Sequence, residues 1–132
     1  MLYIGNLDKE KLGEYKDKVI TDEVVLTEER IVHIQEHHPG DYEEYHEYIN
    51  DIIANPDYVI KDSRNSDTML FLKNIQEKNR NVQVVIKLNT NMKENDKKNS
   101  ILTFWKVKEK NYNQMIRNKE IIWKKRKNKK GE

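Results

Sequence analysis

The chain has 132 residues, of which 36% are apolar and 36% are charged, and it contains no cysteine. This length predicts one domain, and the lack of cysteine excludes disulfides, thiolate metal sites and cysteine nucleophiles. No apolar run approaches the roughly 20 residues that span a bilayer. The first residues carry neither a basic leader nor an apolar h-region. We therefore expect a soluble cytoplasmic protein that does not contact membranes.

The net charge of +2 hides a strong asymmetry between the two halves of the chain. Residues 1–60 hold 15 acidic and 5 basic side chains, a balance of −10, whereas residues 61–132 hold 8 and 20, a balance of +12. A basic segment of this size is typical of a surface that binds polyanions. A lysine- and asparagine-rich composition inherited from an AT-rich genome gives the same numbers, so the charge alone leaves both explanations open.

The first 40 residues are predicted to form a strand and a histidine-rich helix. Residues 2–7 form the strand, and a weak helical stretch follows up to residue 15. Val24-Val25-Leu26 then leads into the helix, for which Thr27 is a suitable N-cap. The Pro39-Gly40 pair ends the helix.

A second helix is predicted from Asp41 to the Asn55-Pro56 pair. Asp41 is expected to be its N-cap, with Glu44 at the capping-box position. Apolar side chains recur along this segment at a spacing of three and four residues, which is the period of one helix face. They are Tyr42, Tyr45, Ile49, Ile52 and Ile53.

After Pro56 the period of the apolar residues changes from helical to extended. Four segments rich in β-branched and aromatic residues are predicted as strands. They cover residues 58–60, 68–72, 82–88 and 101–107. A turn at residues 64–67 joins the first two strands, and residues 89–99 form a polar loop. Residues 111–119 are predicted as a last helix and residues 121–123 as a closing strand.

Helices followed by strands that are joined through short turns indicate an α+β fold. We expect N-terminal helices packed on an antiparallel sheet of four or slightly more strands. A single domain is predicted over residues 1–123. The remaining segment, residues 124–132, is predicted to be a basic, disordered tail because it is too highly charged to pack.

The predicted helix that ends at Pro39 has an unusual polar stripe. Arg30, His33 and His37 fall on one side of it at about 100° per residue, and His38 lies beside them. An ordinary amphipathic helix carries Lys and Glu at such positions. Two chemistries use imidazole and guanidinium groups in this way: metal binding, and proton transfer with charge stabilisation at a phosphodiester.

A metal site is one interpretation of this helix. His33-Ile34-Gln35-Glu36-His37 matches the H-x-x-E-H pattern, in which two histidines bind zinc and the glutamate acts as the base. Such a site needs a third protein ligand. A histidine-rich helix matches three fixed positions easily by chance, and enzymes of that class are much larger than this chain. A zinc hydrolase therefore stays a secondary alternative, and no metal ligand is assigned.

Metal-free cleavage of RNA is the other interpretation. Attack by the substrate's own 2′-hydroxyl needs a base, an acid and cations around the phosphate. Histidine suits both proton-transfer roles near neutral pH. The helix offers His33, His37 and His38 for these roles. The predicted strands offer Lys87, Ser100, Thr103 and Lys106.

Five short segments of the chain are each weak motifs, but their order and spacing together form a more specific pattern. The first is Val25-Leu26-Thr27-x-x-Arg30-Ile31-x-His33-Ile34-x-x-x-His38-Pro39. The others are Ile53-x-Asn55-Pro56-Asp57-Tyr58, Val84-Val85-Ile86-Lys87-Leu88, Asn99-Ser100-Ile101-Leu102-Thr103 and Ile121-Ile122-Trp123-Lys124. Together they resemble the phage-associated nuclease-like domains of the barnase–EndoU–colicin–RelE (BECR) superfamily, over about residues 1–125.

This resemblance implies a small, metal-independent endoribonuclease without a cofactor, of a kind often found as a toxin or mobile-element effector. It also implies N-terminal helices on a four-stranded antiparallel sheet. The implied catalytic residues are His33, His38, Lys87, Ser100 and Thr103. The implied substrate-binding residues are Arg30, His37 and Lys106. His37 stands where the family often has Arg before the His-Pro pair.

In this interpretation His33 and His38 are the acid–base pair, and the two hydroxyl side chains orient the phosphate. Arg30 and Lys87 bind that phosphate, while the basic half of the chain holds the RNA backbone. Trp105 or Tyr58 is a candidate for stacking on a base, although aromatic residues in strands are more often part of a core. The implied partners are RNA and a cognate inhibitor protein. The alternative is a non-catalytic RNA- or protein-binding module on the same fold, and the sequence does not indicate an oligomeric state.

Overall fold

Seven strands form one mixed β-sheet in the computed structural model, which describes residues 1–126. The strands are β1 (Leu2–Asn6), β2 (Glu23–Leu26), β3 (Tyr58–Lys61), β4 (Thr68–Ile75), β5 (Arg80–Lys87), β6 (Asn99–Val107) and β7 (Ile121–Lys124). Their order across the sheet is β1-β2-β6-β5-β4-β3-β7. Neighbouring strands are antiparallel except for β2 and β6, which are parallel. The α+β class is confirmed, but the expected antiparallel sheet of about four strands was too small and missed the parallel pair.

The helices are not grouped at the N-terminus, which corrects a second part of the prediction. They are α1 (Glu28–His37), α2 (Asp41–Tyr45), α3 (Ile49–Ala54) and α4 (Glu109–Asn118). The first three lie between β2 and β3, and α4 precedes β7. The predicted second helix is divided into α2 and α3 by a 3-10 turn, His46–Tyr48. The weak helical stretch near the start consists of two short 3-10 helices, Lys9–Lys11 and Gly13–Asp17.

The ends of α1 are set by local sequence. The Thr27 hydroxyl accepts a hydrogen bond from the Arg30 main-chain N–H at 3.2 Å, which confirms the predicted N-cap. The helix ends at His37, and Gly40 adopts a left-handed conformation with φ of 86°. Gly40, and not Asp41, is the N-cap of α2. The prediction of an Asp41 cap was wrong because this carboxylate points toward β6.

Both faces of the sheet are covered by helices. The α1–α3 side of the core takes Ile34, Tyr45, Ile49, Ile52 and Ile53 from the helices. It takes Phe71, Val84, Ile86, Ile101 and Phe104, among others, from the strands. The opposite side is smaller and packs Tyr112 of α4 against Ile60, Leu70, Leu72, Val85 and Val107. The candidate site residues of β5 and β6 therefore lie in a strand pair that is supported from both sides.

The predicted C-terminal tail overlaps the last strand by one residue. Lys124, the first residue of the predicted tail, is the last residue of β7. The segment from residue 127 onwards lies outside the residues that the structure describes. Within residues 1–126, none of the helices combines the length and the apolar composition needed to cross a bilayer.

Candidate active site

The histidine helix lies against the outer edge of β6. β2 pairs with β6 only through Val24 with Asn99 and Val25 with Ser100. Beyond Ser100 this edge of β6 is covered by α1 and α2, which both contact the strand. The neighbour of β6 on this edge thus changes along the strand, from β2 at its N-terminal end to the helices further on. The C-terminal end of α1 is thereby brought to the middle of the strand.

His38 is held at this edge by its main chain and by its ring. Its N–H donates to the Ile34 carbonyl oxygen at 2.8 Å, and its own carbonyl oxygen accepts from the Asp41 N–H at 3.0 Å. The imidazole stacks on the Trp105 indole, with ring centroids 4.7 Å apart and an interplanar angle of 12°. The half-buried ring therefore packs against β6.

The surroundings of His38 favour its neutral form. Burial lowers the pKa of the imidazole below its ordinary value. The Asp41 carboxylate opposes this effect, while the charges of His37 and His33 add to it. A neutral imidazole at neutral pH accepts a proton, so this position suits a general base.

His33 and His37 form a second pair on the neighbouring side of α1. Their rings stack with centroids 4.1 Å apart. The His37 Nδ1 lies 2.9 Å from the His33 carbonyl oxygen. Because a carbonyl only accepts hydrogen bonds, Nδ1 carries the proton, and Nε2 of a neutral His37 is left as an acceptor. Within residues 1–126, no side-chain hydrogen bond or ring contact joins either residue to β5 or β6.

On the strand side, a β-bulge brings the predicted hydroxyl side chains onto one face. Ser100 pairs with Lys87, and Thr103 pairs with Val85, with a register shift between the two pairs. Lys87 and Val85 are two residues apart, so their partners project to the same side of the sheet. In an unbroken strand Ser100 and Thr103, three residues apart, would point to opposite faces. The extra residue at Leu102 removes that conflict.

Trp105 continues this face, because it pairs with Gln83, two residues before Val85. The Thr103 hydroxyl, two residues from the stacked indole, is buried and has no hydrogen-bond partner among the described residues. A buried hydroxyl without a hydrogen-bond partner is rare in proteins. His38 stacks on Trp105, and Thr103 lies two residues before Trp105 on the same face of β6; we call these three residues the His38 corner.

The other predicted residues are more distant from the His38 corner. Ser100 and Thr103 pair with Lys87 and Val85, which are two residues apart, so they lie about 7 Å from each other along the strand. Lys87 donates from Nζ to the Ser66 carbonyl oxygen at 2.9 Å. Arg30 is half-buried in the first turn of α1, one turn before His33. Within residues 1–126, no side-chain hydrogen bond joins these residues to the His38 corner.

Lys106 does not share the face of Thr103. It pairs with Val82, whose side chain belongs to the core on the α1–α3 side. The Lys106 side chain is exposed, and its main-chain N–H donates to the Asp41 carboxylate at 3.1 Å. Lys106 therefore projects to the opposite side of the sheet from Ser100 and Thr103, with which the sequence analysis grouped it.

Asp41 is the residue of this region that the sequence interpretation missed. It is only 7% exposed, and it links α2 to β6 and lies close enough to His38 to affect its pKa. A signal for its burial was present, because Asp41, Tyr45 and Ile49 recur every four residues on the apolar stripe.

The residues do not assemble a metal-binding cluster in the described part of the chain. No group of three or more His, Cys, Asp or Glu side chains within residues 1–126 is arranged to hold a metal ion. The stacked His33 and His37 rings are the two histidines of the H-x-x-E-H pattern.

A histidine-bearing helix at the edge of a sheet, facing strands with lysine and hydroxyl side chains, is an arrangement suited to a nuclease. The profile of the family described as phage-Barnase-EndoU-ColicinE5/D-RelE like nuclease2 (PBECR2) matches residues 4–124. The chain therefore belongs to this phage nuclease-like family, which confirms the resemblance drawn from its motifs. No curated protein and no solved structure matches the chain with significance.

Proposed function

We propose that the chain is a metal-independent endoribonuclease that acts as a phage or mobile-element effector. Membership of a nuclease-like family gives the general class. The observation that carries the more specific proposal is the His38 imidazole, which is fixed by stacking on Trp105 in surroundings that lower its pKa. Such an imidazole is suited to act as a base on a substrate at the edge of β6, the strand that also carries Thr103.

In the proposed reaction, the 2′-hydroxyl of one nucleotide attacks the phosphorus of its own 3′-phosphate. His38 takes the proton from this hydroxyl as the new P–O2′ bond forms. The P–O5′ bond breaks, and a protonated His33 gives its proton to the departing 5′-oxygen. The products are an RNA end with a 2′,3′-cyclic phosphate and an RNA end with a 5′-hydroxyl. In this proposal the RNA lies along the edge of β6 at the C-terminal half of α1, where it meets both histidines.

Charge on the phosphate is balanced by groups of α1 and of the β5–β6 strand pair. Arg30 and Lys87 are the proposed cations for the non-bridging oxygens, and the Lys87 ammonium keeps two N–H groups beyond its bond to Ser66. The hydroxyls of Ser100 and Thr103 are the proposed neutral donors. Thr103 breaks no existing bond to donate, which is the preorganisation that favours a charged transition state. His37 contributes a further phosphate contact.

The experiment is cleavage of total cellular RNA by the purified protein, with and without EDTA. His38→Ala is expected to lower the cleavage rate by about 10²–10⁴-fold, the usual contribution of a general base. His46→Ala is the matched control, because the His46 imidazole is likewise stacked on an aromatic ring, that of Tyr42. His46 lies on the 3-10 turn and is exposed, so cleavage should be unchanged.

Each other outcome contradicts part of the proposal. Cleavage that stops in EDTA would point to the zinc hydrolase alternative. RNA binding without cleavage, in the wild-type protein as well as in the variants, would point to a non-catalytic binding module. Equal cleavage by His38→Ala and the wild-type protein would move the catalytic base elsewhere.

A further inference from the structure

We propose that a cleft at the far end of β5 and β6 binds a backbone phosphate of single-stranded RNA outside the catalytic site. The cleft has a volume of about 480 Å³. Its polar lining consists chiefly of Arg80, Lys106 and Lys108 with Asn74, Asn79 and Asn81. The choice of RNA as the occupant rests on the proposed function, whereas the preference for an anion follows from the charges in the cleft.

The positive charge of the cleft is not neutralised by the surrounding chain. Within residues 1–126, no carboxylate lies within 4.0 Å of the basic groups of Arg80, Lys106 or Lys108. Glu109 also lines the cleft, so three cations face one anion. Unpaired cations that converge on one concave surface create a local field for a phosphate.

A neighbouring cleft shows the opposite arrangement and serves as an internal comparison. It has a volume of about 350 Å³ and is lined by Lys73 and Lys125 among others. Lys73 lies 3.8 Å from the Asp51 carboxylate, and both lysines lie 4.0 Å from the Asp57 carboxylate. The lysines of that cleft are thus already paired. Of these two clefts, only the one at Arg80 has cations that are not paired with a carboxylate of the described residues.

The donors of the proposed cleft are held in place by local hydrogen bonds. Arg80 Nη1 donates to the Asn79 carbonyl oxygen at 3.0 Å, which leaves the other guanidinium N–H groups for a ligand. Asn79 adopts a left-handed conformation with φ of 50° at the turn. The Asn74 side-chain amide donates to Asn81 Oδ1 at 2.8 Å, across the strand pair. A planar guanidinium fork that is already oriented matches the geometry of a phosphate.

The position of the cleft connects it to the His38 corner. Lys106 directly follows Trp105. Lys108 lies three residues after Trp105, which is about 10 Å at the rise of an extended chain. A nucleic-acid strand that passes Trp105 along β6 therefore reaches the cleft within a short distance. The cleft explains why Lys106 faces away from Thr103: it serves a neighbouring phosphate and not the reacting one.

The test measures binding separately from cleavage. The ligand is a fluorescently labelled single-stranded RNA oligonucleotide with a 2′-O-methyl group on every nucleotide, which has no attacking hydroxyl. Its affinity for the full chain is measured by anisotropy over a series of salt concentrations. The double variant Arg80→Ala/Lys106→Ala is compared with Lys18→Ala/Lys93→Ala, which removes the same charge at exposed positions elsewhere.

The cleft variant is expected to bind the oligonucleotide about tenfold more weakly or worse. Its salt dependence should also be shallower, with a slope smaller by about 0.7 for each phosphate of the single strand that the variant no longer neutralises. The control variant should stay within about twofold of the wild-type protein, because scattered exposed charges are largely screened by salt. Equal losses in the two variants would overturn the cleft proposal, as would the absence of any binding by the wild-type protein.

Cleavage assays on the same proteins separate this proposal from the proposed function. If the wild-type protein does not cleave RNA but the cleft variant loses affinity, the cleft stands and the ribonuclease proposal fails. If the wild-type protein cleaves RNA but the cleft variant binds normally, the reverse holds. Poly-glutamate is a further probe, and binding of this polymer in place of RNA would assign the cleft to an acidic protein and overturn the proposal. Thermal melting of each variant confirms that it is folded.

Discussion

The Asp41 carboxylate accepts a hydrogen bond from the main-chain N–H of Lys106 at 3.1 Å, across the gap between α2 and the outer edge of β6. Asp41 also donates its own N–H to the His38 carbonyl oxygen. One buried residue thereby joins the end of α1, the start of α2 and the strand that carries Trp105. These two hydrogen bonds of Asp41 reach His38 itself and the neighbour of Trp105, on which the His38 ring stacks.

Asp41→Ala is expected to destabilise the fold by about 1.5–3 kcal/mol, because it removes a charged acceptor and leaves the Lys106 N–H without a partner. Urea denaturation measures the loss. Asp51→Ala is the matched control, since the exposed Asp51 carboxylate accepts a hydrogen bond, among the described residues, only from the exposed Asn55 amide at 3.0 Å and lies 3.8 Å from Lys73 Nζ. It should cost no more than about 1 kcal/mol. Equal losses in the two variants would contradict the role assigned to Asp41.

Gly40 directs the chain from His38 into α2, and its φ of 86° is the reason that a glycine stands there. A Cβ at this position would meet no atom within 4 Å, so the cost of a larger residue is backbone strain alone. Gly40→Ala is expected to destabilise the protein by about 1–2 kcal/mol. Gly40→Asn should cost less, because Asn tolerates the left-handed region. Denaturation of both variants in urea checks the order, and a loss as large for Asn as for Ala would contradict it.

The lowered pKa of His38 predicts a specific pH dependence of stability. Unfolded chains bind a proton at this position near the ordinary value of about 6.5, whereas the folded protein resists protonation until lower pH. Stability is therefore full above about pH 6.5 and falls as the pH drops toward the folded pKa. His38→Gln should make the change in unfolding free energy between pH 7.5 and pH 5.5 smaller. An NMR titration of the His38 ring measures the pKa directly, and a value above the ordinary one would refute the prediction.

Much of the architecture was predictable because the local signals agree with the global fold. The strand segments alternate strongly enough that the predicted residues 101–107 fall inside β6 (Asn99–Val107). The parallel pairing of β2 with β6 was not predictable. It joins Val24 to Asn99, and nothing in either short segment specifies a partner so distant along the chain.

The candidate site was predictable as a set of residue types but not as a geometry. Ser100 and Thr103 have the wrong spacing for one face of a regular strand, and only the bulge at Leu102 brings them to the same side. Asp41 has the sequence position of a helix cap, yet tertiary contact with β6 takes precedence over capping. Both features depend on neighbouring elements, which a local pattern does not report.

Thr103 allows function to be separated from folding, because its buried hydroxyl has no partner among the described residues. Thr103→Val keeps the side-chain shape and removes a polar group that gains nothing from the fold, so stability should be unchanged or higher by about 1 kcal/mol. RNA cleavage should nevertheless fall, because the phosphate then has one hydrogen-bond donor fewer. Thr103→Ser, which retains the hydroxyl, should preserve most of the activity.

The matched control for this substitution is Thr68→Val, at another buried threonine of the sheet. The Thr68 hydroxyl donates to the Ser66 carbonyl oxygen at 3.1 Å, so its removal should cost about 0.5–1.5 kcal/mol. Of the two Thr→Val variants, only Thr68→Val is thus expected to lose stability and only Thr103→Val to lose catalysis. Urea denaturation measures the unfolding free energies of the two proteins, and a cleavage assay measures their rates of RNA cleavage. A Thr103→Val protein that is destabilised and fully active would show that this hydroxyl serves the fold and not the phosphate.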